Sequence, residues 1–470
     1  MSGLEKEQDY RLSDSIMASE EQKALGLVWV GQEIIADTDS VSAIKAAPSG
    51  STLQDTAIAP KLCKTVEVKT RCGQLLQMTI EPDQMVVFMP DMFCTIMAVE
   101  PIVNSSYASV KLEAEEWLFR ELNADETLRK RIRKTSWWWF AAAAAPHASK
   151  EDLKVLVDWG NWVFPWDDPF DNGSFRGDPT GAKKMLDNLM SIMRGEPQSP
   201  KNALVIAHND IWRRIVESAS EGKFPCLNVT SHPKRDAEKA VVQKRYAASM
   251  ELYCSGALEG VGNYAKSRIP GLEEYIDMRR RSVAVLPIVC MIEFAMKIEV
   301  PDIAYNDKSL VTLRRILDDV VFLQNDMMGY AKEERECVTH NVISILRNLG
   351  MTTQEAFDKG GLMLRERELY LLEAFFVLCR LLSPYSTDAT HSLEHGYRDW
   401  HIVQADLPSW GEAVDREVQK YIAVVHSCMV ANLNWHHQSH RYFATYKDMA
   451  REFGAVVVLE HPPTMSEGVN

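Results

Sequence analysis

An all-α fold is what this sequence predicts, and three observations carry that reading. Downstream of Pro101, long stretches place apolar residues three and four positions apart, the spacing that lines one face of a helix. Few Gly or Pro residues interrupt those stretches, and breaks such as Ser199-Pro200 and Pro270-Gly271 fall between them. No repeat period is visible, so one bundle of ten or so helices is expected.

In chain order, residues 1–60 are weakly periodic and rich in Ser, Ala, Asp and Glu. They read as a flexible N-terminal extension with one helix near Ser19 to Gln32. Residues 61–100 read as an irregular, extended segment. Within it, Thr65-Val66-Glu67-Val68-Lys69 and Met85-Val86-Val87-Phe88-Met89 are strands or extended arms. The all-α domain spans 101–455. Its helices are expected near 104–122, 126–144, 149–168, 180–194, 202–222, 234–262, 272–299, 303–332, 338–349, 353–382 and 411–440. Residues 456–470 read as a flexible tail.

Composition narrows the function. The chain has 470 residues, 46% hydrophobic and 25% charged, as in an ordinary globular protein. A net charge of −14 disfavours nucleic acid and anionic membrane as partners. A phosphorylated substrate would then need metal ions or a local Arg cluster. The 9 Cys are scattered without CxxC spacing, which suits a reducing cytosol and argues against a disulfide framework or a zinc ribbon. The first residues carry no apolar signal core, and the apolar runs from Trp137 to Pro146 and from Ser282 to Met291 are shorter than a membrane span. Cytoplasmic location and a monomer or homodimer are the expectations.

The chemistry-bearing residues begin at Asp167-Asp168-Pro169-Phe170-Asp171, which ends a Trp-rich apolar segment. On a helix Asp167 and Asp171 share a face, and two carboxylates at that spacing can hold a hard cation such as Mg²⁺. Asn325, Gly329 and Glu333 line one face of another helix, an amide and a carboxylate two turns apart with a gap between them. Arg279, Arg280 and Arg281 precede an apolar run, and Arg offers a fork of donors suited to phosphate. Arg441-Tyr442 closes the domain behind Trp435 and His436. A zinc reading of the His436/His440 spacing, or of His391/His395, lacks a third ligand and a general-base Glu. Each motif read singly is equally a solvated helix face, and the Arg run a charge cluster pairing with Glu273 and Glu274.

Taken together and in order, the motifs resemble those of a class I terpene cyclase of the fungal or bacterial type, from about Pro90 to Phe443. The resemblance implies a class I terpenoid synthase helical bundle with a central active-site cavity. It implies metal binding by Asp167, Asp168 and Asp171 on one side and by Asn325, Gly329 and Glu333 on the other. Three Mg²⁺ ions and farnesyl diphosphate, or a similar prenyl diphosphate, are the implied cofactor and substrate. Asp167 would bridge two ions with help from Asp171, Asn325 and Glu333 would hold the third, and Asp168 would pair instead with an Arg. Arg279, Lys332, Arg441 and Tyr442 would contact the diphosphate; Arg279 is selected by its distance before Asn325, with Arg280 the fallback and Ser282 and Val283 the linker and effector positions. Phe164 would shape the pocket for the carbocation, with Trp162, Phe322 and Trp435 behind it, whereas Trp137, Trp138 and Trp139 read as core. The chain departs from the family pattern at Gly329, where a Ser or Thr hydroxyl is usual, and in its long N-terminal extension. The alternatives are a diterpene cyclase using geranylgeranyl diphosphate, a prenyltransferase, and a non-catalytic α-helical scaffold.

Overall fold

The computed structural model describes residues 63–197, 200–220, 233–365, 407–443 and 446–461, all within the unit Lys61–Asn470. The N-terminal extension, the helix expected near Ser19, the stretch 366–382 and His391/His395 lie outside the described residues.

Strands β1 (Lys64–Lys69) and β2 (Leu75–Ile80) form an antiparallel hairpin. β3 (Gln84–Phe88) leaves that hairpin and pairs antiparallel with the C-terminal β4 (Ala455–Leu459), Val86 lying opposite Val457. The expectation that 456–470 is a flexible tail is therefore corrected for residues 456–459. Three consecutive Val at 456–458 are buried; pairing with β3 satisfies the backbone of Val456 and Val458, and the Val457 carbonyl accepts from Arg335 at 3.4 Å.

Helices α1 (Tyr107–Glu121), α2 (Glu126–Thr135) and α3 (Trp137–Ala144) follow. The single helix expected over 126–144 is two, because Ser136 adopts a left-handed φ of 50°. The turn sets the apolar α3 into the core while the strongly basic α2 stays at the surface. Next come α4 (Lys150–Asp171), α5 (Pro179–Met193), α6 (Ala203–Ser220) and α7 (Pro233–Ala265). Local chemistry sets their starts. Ser149 accepts from the Asp152 N–H ahead of α4, and Asp178 from Gly181 ahead of α5, with Pro179 at the first helical position.

The helix expected over 272–299 is also two, α8 (Leu272–Ser282) and α9 (Val285–Met296). Ala284, with φ 62°, breaks it, and Pro287 in the first turn of α9 is the sequence signal of the new start. α10 (Asp302–Tyr305), α11 (Lys308–Glu333) and α12 (Val342–Asn348) are followed by helical backbone at 353–365, then α13 (Glu412–Gln438) and α14 (Lys447–Phe453).

α4 packs on α1, α3 and α6, and α11 packs on α13, α8 and α12. These two long helices are buried over most of their length and end in the acidic motifs. Gly160 of α4 permits one close approach: a Cβ there would lie 1.2 Å from Nε1 of Trp137, so the indole rests on the helix backbone. Among the described residues, no helix is long and apolar enough to cross a membrane.

Candidate active site

Asp167, Asp168 and Asp171 occupy the last turn of α4, a helix C-terminus that disfavours anions. Each meets a different environment. Asp168 is shared by two guanidinium groups, Arg441 at 2.9 Å on Oδ1 and Arg131 at 2.5 Å on Oδ2. Burial opposes its charge, but Arg441 and Arg131 hold the carboxyl below its usual range. The expected Arg partner of Asp168 is thus two.

Asp167 accepts from the buried Tyr253 hydroxyl at 2.6 Å. Burial and then the neighbouring Asp171 push Asp167 above the usual carboxylate range, against that hydrogen bond. Asp171 stands at the open mouth of the site, reachable by solvent yet crowded by protein. That crowding raises it, Arg279 opposes, and Glu333 adds to the rise.

On the facing side, Arg279 of α8 donates to Asn325 Oδ1 at 2.8 Å and to Asp326 Oδ1 at 3.0 Å. Asp326 is held also by the Tyr275 hydroxyl and by the Val342 N–H at 2.9 Å. Burial would weaken the proton on Arg279, but Asp326 and its neighbours keep it charged. The other two arginines of the run are committed elsewhere. Arg280 makes a two-pronged pair with Asp319 at 2.6 and 2.9 Å. Arg281 pairs with Glu259 at 2.7 Å and Asp277 at 3.3 Å. Glu274 pairs with Arg268 instead, so pairing of the run with Glu273 and Glu274 is not what the structure shows.

Asn325, Gly329 and Glu333 share the inner face of α11, as their spacing requires. Burial raises Glu333, and Lys332 opposes it. Lys332 itself donates to Glu336 at 2.7 Å. Asn325 Nδ2 lies 3.3 Å from Nε2 of His436, whose Nδ1 faces the Asn432 carbonyl at 2.7 Å. The His436/His440 pair does not form a metal site: His436 is buried in the core and His440 is exposed.

The aromatic residues divide. Trp162 stacks on Trp166 and hydrogen-bonds the Leu204 carbonyl at 2.8 Å, which is core packing. Phe164 is half-buried, packed edge-on to Trp137 at 5.6 Å and tilted onto Trp435 at 5.8 Å, with the Arg441 guanidinium 4.9 Å over its ring. Tyr442 is buried against Trp435 and His436, and burial raises its hydroxyl to about 12. Trp137, read as core from the sequence, belongs to the same aromatic cluster as Phe164 and Trp435.

A cavity of about 50 Å³ adjoins Asp167, Asp171 and Arg279, closed on the other side by Tyr264, Met278 and His340. It has room for a few waters. A larger ligand requires the surrounding side chains to part. Among the described residues no three His, Cys, Asp or Glu side chains already enclose one ion. The donor set still fits a hard divalent cation. Asp167, Asp171, Asn325 and Glu333 supply only oxygen as ligands, and Asp171 repels both Asp167 and Glu333 around Arg279. Mg²⁺ keeps several waters and takes one or two carboxylates plus substrate phosphate, so a prebuilt cage is not required.

Sequence reasoning missed Arg131, Tyr253, Tyr275, Asp326 and Asn341. Asp326 had a signal, being the acid beside Asn325, and Tyr275 lies one turn before Arg279 on α8; Asn341 follows Glu333 by eight residues, while Arg131 and Tyr253 reach the site from remote parts of the chain.

Two long helices ending in acids, facing each other across a paired Arg within an all-α bundle, define a class I terpenoid synthase. The family model described as terpene synthase family 2, C-terminal metal binding, matches residues 158–368. Terpene cyclase 4 of Gibberella fujikuroi is 31% identical over 370 residues, covering 77% of this chain and 87% of that one. A silphinene synthase of Penicillium patulum is 28% identical, covering 80% of this chain and 90% of its own. Among solved structures, hedycaryol synthase bound to HEPES aligns with TM-score 0.55 at 18% identity, covering 75% of this chain and 99% of that chain. Germacradien-4-ol synthase from Streptomyces citricolor gives 0.52 at 20% identity, covering 72% and 96%. The chain belongs to the terpene synthase family. It is a terpene cyclase, a carbon–oxygen lyase acting on a prenyl diphosphate.

Proposed function

We propose that this protein ionises farnesyl diphosphate with the help of three Mg²⁺ ions, cyclises the resulting carbocation to a sesquiterpene and releases diphosphate. The observation that carries the proposal is the convergence of Asp167, Asp171, Arg279, Asn325, Glu333 and Arg441 from four helix ends on one side of the bundle. Relatives named silphinene synthase and (+)-eremophilene synthase support the sesquiterpene choice.

Asp167 and Asp171 would hold metal from α4, and Asn325 and Glu333 from α11. The bound cations would supply Lewis-acid stabilisation of the departing diphosphate. Arg279 is charged, buried and directed across the gap between α4 and α11, so it can donate to diphosphate oxygens by turning from Asn325. Arg441 and Lys332 stand at the mouth in acid pairs that a more strongly charged diphosphate would compete for. Release of Arg441 from Phe164 would uncover an aromatic face, which attracts a carbocation without reacting with it. Trp137 and Trp435 pack on that ring, and Phe140 stacks behind Trp137, so the cluster would exclude water.

The test is diphosphate release from farnesyl diphosphate in Mg²⁺ buffer. Asp167→Ala and Glu333→Ala should each abolish it; unchanged turnover in both would defeat the proposal.

A further inference from the structure

Gly329 stands where a hydroxyl ligand is expected, and the structure explains the substitution by geometry. The Glu333 side chain folds back along α11 and lies over the glycine one turn earlier. A Cβ at position 329 would sit 2.7 Å from Glu333 Oε1, closer than unbonded carbon and oxygen approach, and a tight 3.2 Å from its Cδ. A terminal carboxylate could swing aside were it not held. Its other oxygen, Oε2, accepts from Asn341 Nδ2 at 2.9 Å.

Asn341 has no freedom of its own. It is fully buried, and each end of its amide is used. Oδ1 accepts from the Ile343 N–H at 2.8 Å and so starts α12, while Nδ2 also donates to the Asp326 carbonyl at 2.7 Å. Turning the amide over would set its oxygen against a carbonyl and a carboxylate and its NH₂ against an N–H, so one orientation is allowed. Asp326, in turn, is the residue that grips Arg279. One asparagine therefore ties the diphosphate-facing Arg to the metal-facing Glu.

We propose that Asn341 is a positioning residue that fixes the Glu333 carboxylate, and that Gly329 is the steric condition for that placement rather than a ligand position left vacant. The proposal rests on the reading of Glu333 as a metal ligand. Restoring the usual Ser at position 329 then harms the site instead of completing it.

The experiment is a titration of the full-length protein with Mn²⁺ in the presence of inorganic diphosphate, reading free Mn²⁺ by electron paramagnetic resonance. Folding of each variant is checked by circular dichroism. Gly329→Ala and Gly329→Ser are expected to weaken binding by about 10–100-fold, the range for loss of a residue that orients a metal ligand. Asn341→Asp keeps the oxygen for Ile343 and removes the donor to Glu333, and is expected to weaken binding to a similar extent. If Gly329→Ser binds as tightly as the parent or tighter while Gly329→Ala binds worse, a hydroxyl is a ligand there and the proposal falls. Unchanged binding by folded Asn341→Asp overturns the role of Asn341. Should Asn341→Asp not fold, the two Gly329 variants decide the matter. A parent protein that binds no Mn²⁺ at all refutes the underlying metal reading, a result distinct from either of these.

Discussion

Asp167 and Asp168 are adjacent in sequence and opposite in acid–base behaviour, because burial and a neighbouring acid raise the one while two arginines grip the other. The difference assigns them different work: Asp168 holds Arg441 at the mouth, and Asp167 and Asp171 are left to a cation. The pH dependence follows with a definite sign. Asp167 and Asp171 titrate together between about 6 and about 7 in the fold, above their unfolded value. Their contribution favours the metal-free fold at low pH and is lost as pH rises through that window. Mg²⁺ competes with those protons, so its thermal stabilisation should grow from pH 6 to pH 8; a Mg²⁺-induced Tm shift that is flat over that range would contradict the assignment. Arg441→Ala should slow diphosphate release by ~10²-fold or more, the scale for removing a preorganised charged donor. Phe164→Leu should alter the product mixture or lower the rate while the Mg²⁺ dependence stays as it was. An identical product profile and rate would remove Phe164 from the pocket.

At the scale of elements, α4 is held by polar contacts as well as apolar packing. Trp159 of α4 donates to the Tyr246 hydroxyl of α7 at 2.8 Å, and that hydroxyl lies 2.8 Å from His208 Nε2 of α6. Burial keeps His208 neutral, lowering it to about 3, so its stabilising contribution is present above the unfolded His value and fades as pH falls below it. Tyr246→Phe leaves both partners buried and unsatisfied and should cost about 1–3 kcal/mol in denaturant unfolding. The β3–β4 pair joins residues before the bundle to the segment just after Arg441-Tyr442. Val87→Pro, opposite Val456, should therefore lower stability by at least about 1 kcal/mol through a lost ladder bond, and a melting temperature equal to the parent's would show the pair to be dispensable. Helix positions were largely legible because a buried face repeats along the sequence. The break at Ser136 was not, since a left-handed Ser is imposed by packing and has no local signal, whereas that at Ala284 had one in Pro287, which sits in the first turn of the helix that follows. β4 was missed for a related reason: three Val in a row become a strand only when β3, far away in the chain, supplies the partner.

For the whole molecule, the all-α class and the family were legible because four spaced motifs survive in order along the chain. The partners that orient those motifs were not. Arg131 reaches Asp168 across 37 residues and Tyr253 reaches Asp167 across 86, and no periodicity records such meetings. The closed site, with its cavity of about 50 Å³, was equally invisible, because it depends on how the aromatic side chains settle between helices. The central claim concerns the reaction itself. Incubation with farnesyl diphosphate and, separately, geranylgeranyl diphosphate, each with Mg²⁺, followed by gas chromatography–mass spectrometry, tests it most directly. The account predicts a cyclic fifteen-carbon product from farnesyl diphosphate that disappears when the metal is chelated. A product formed only from geranylgeranyl diphosphate, only with a second co-substrate, or from neither diphosphate would contradict it.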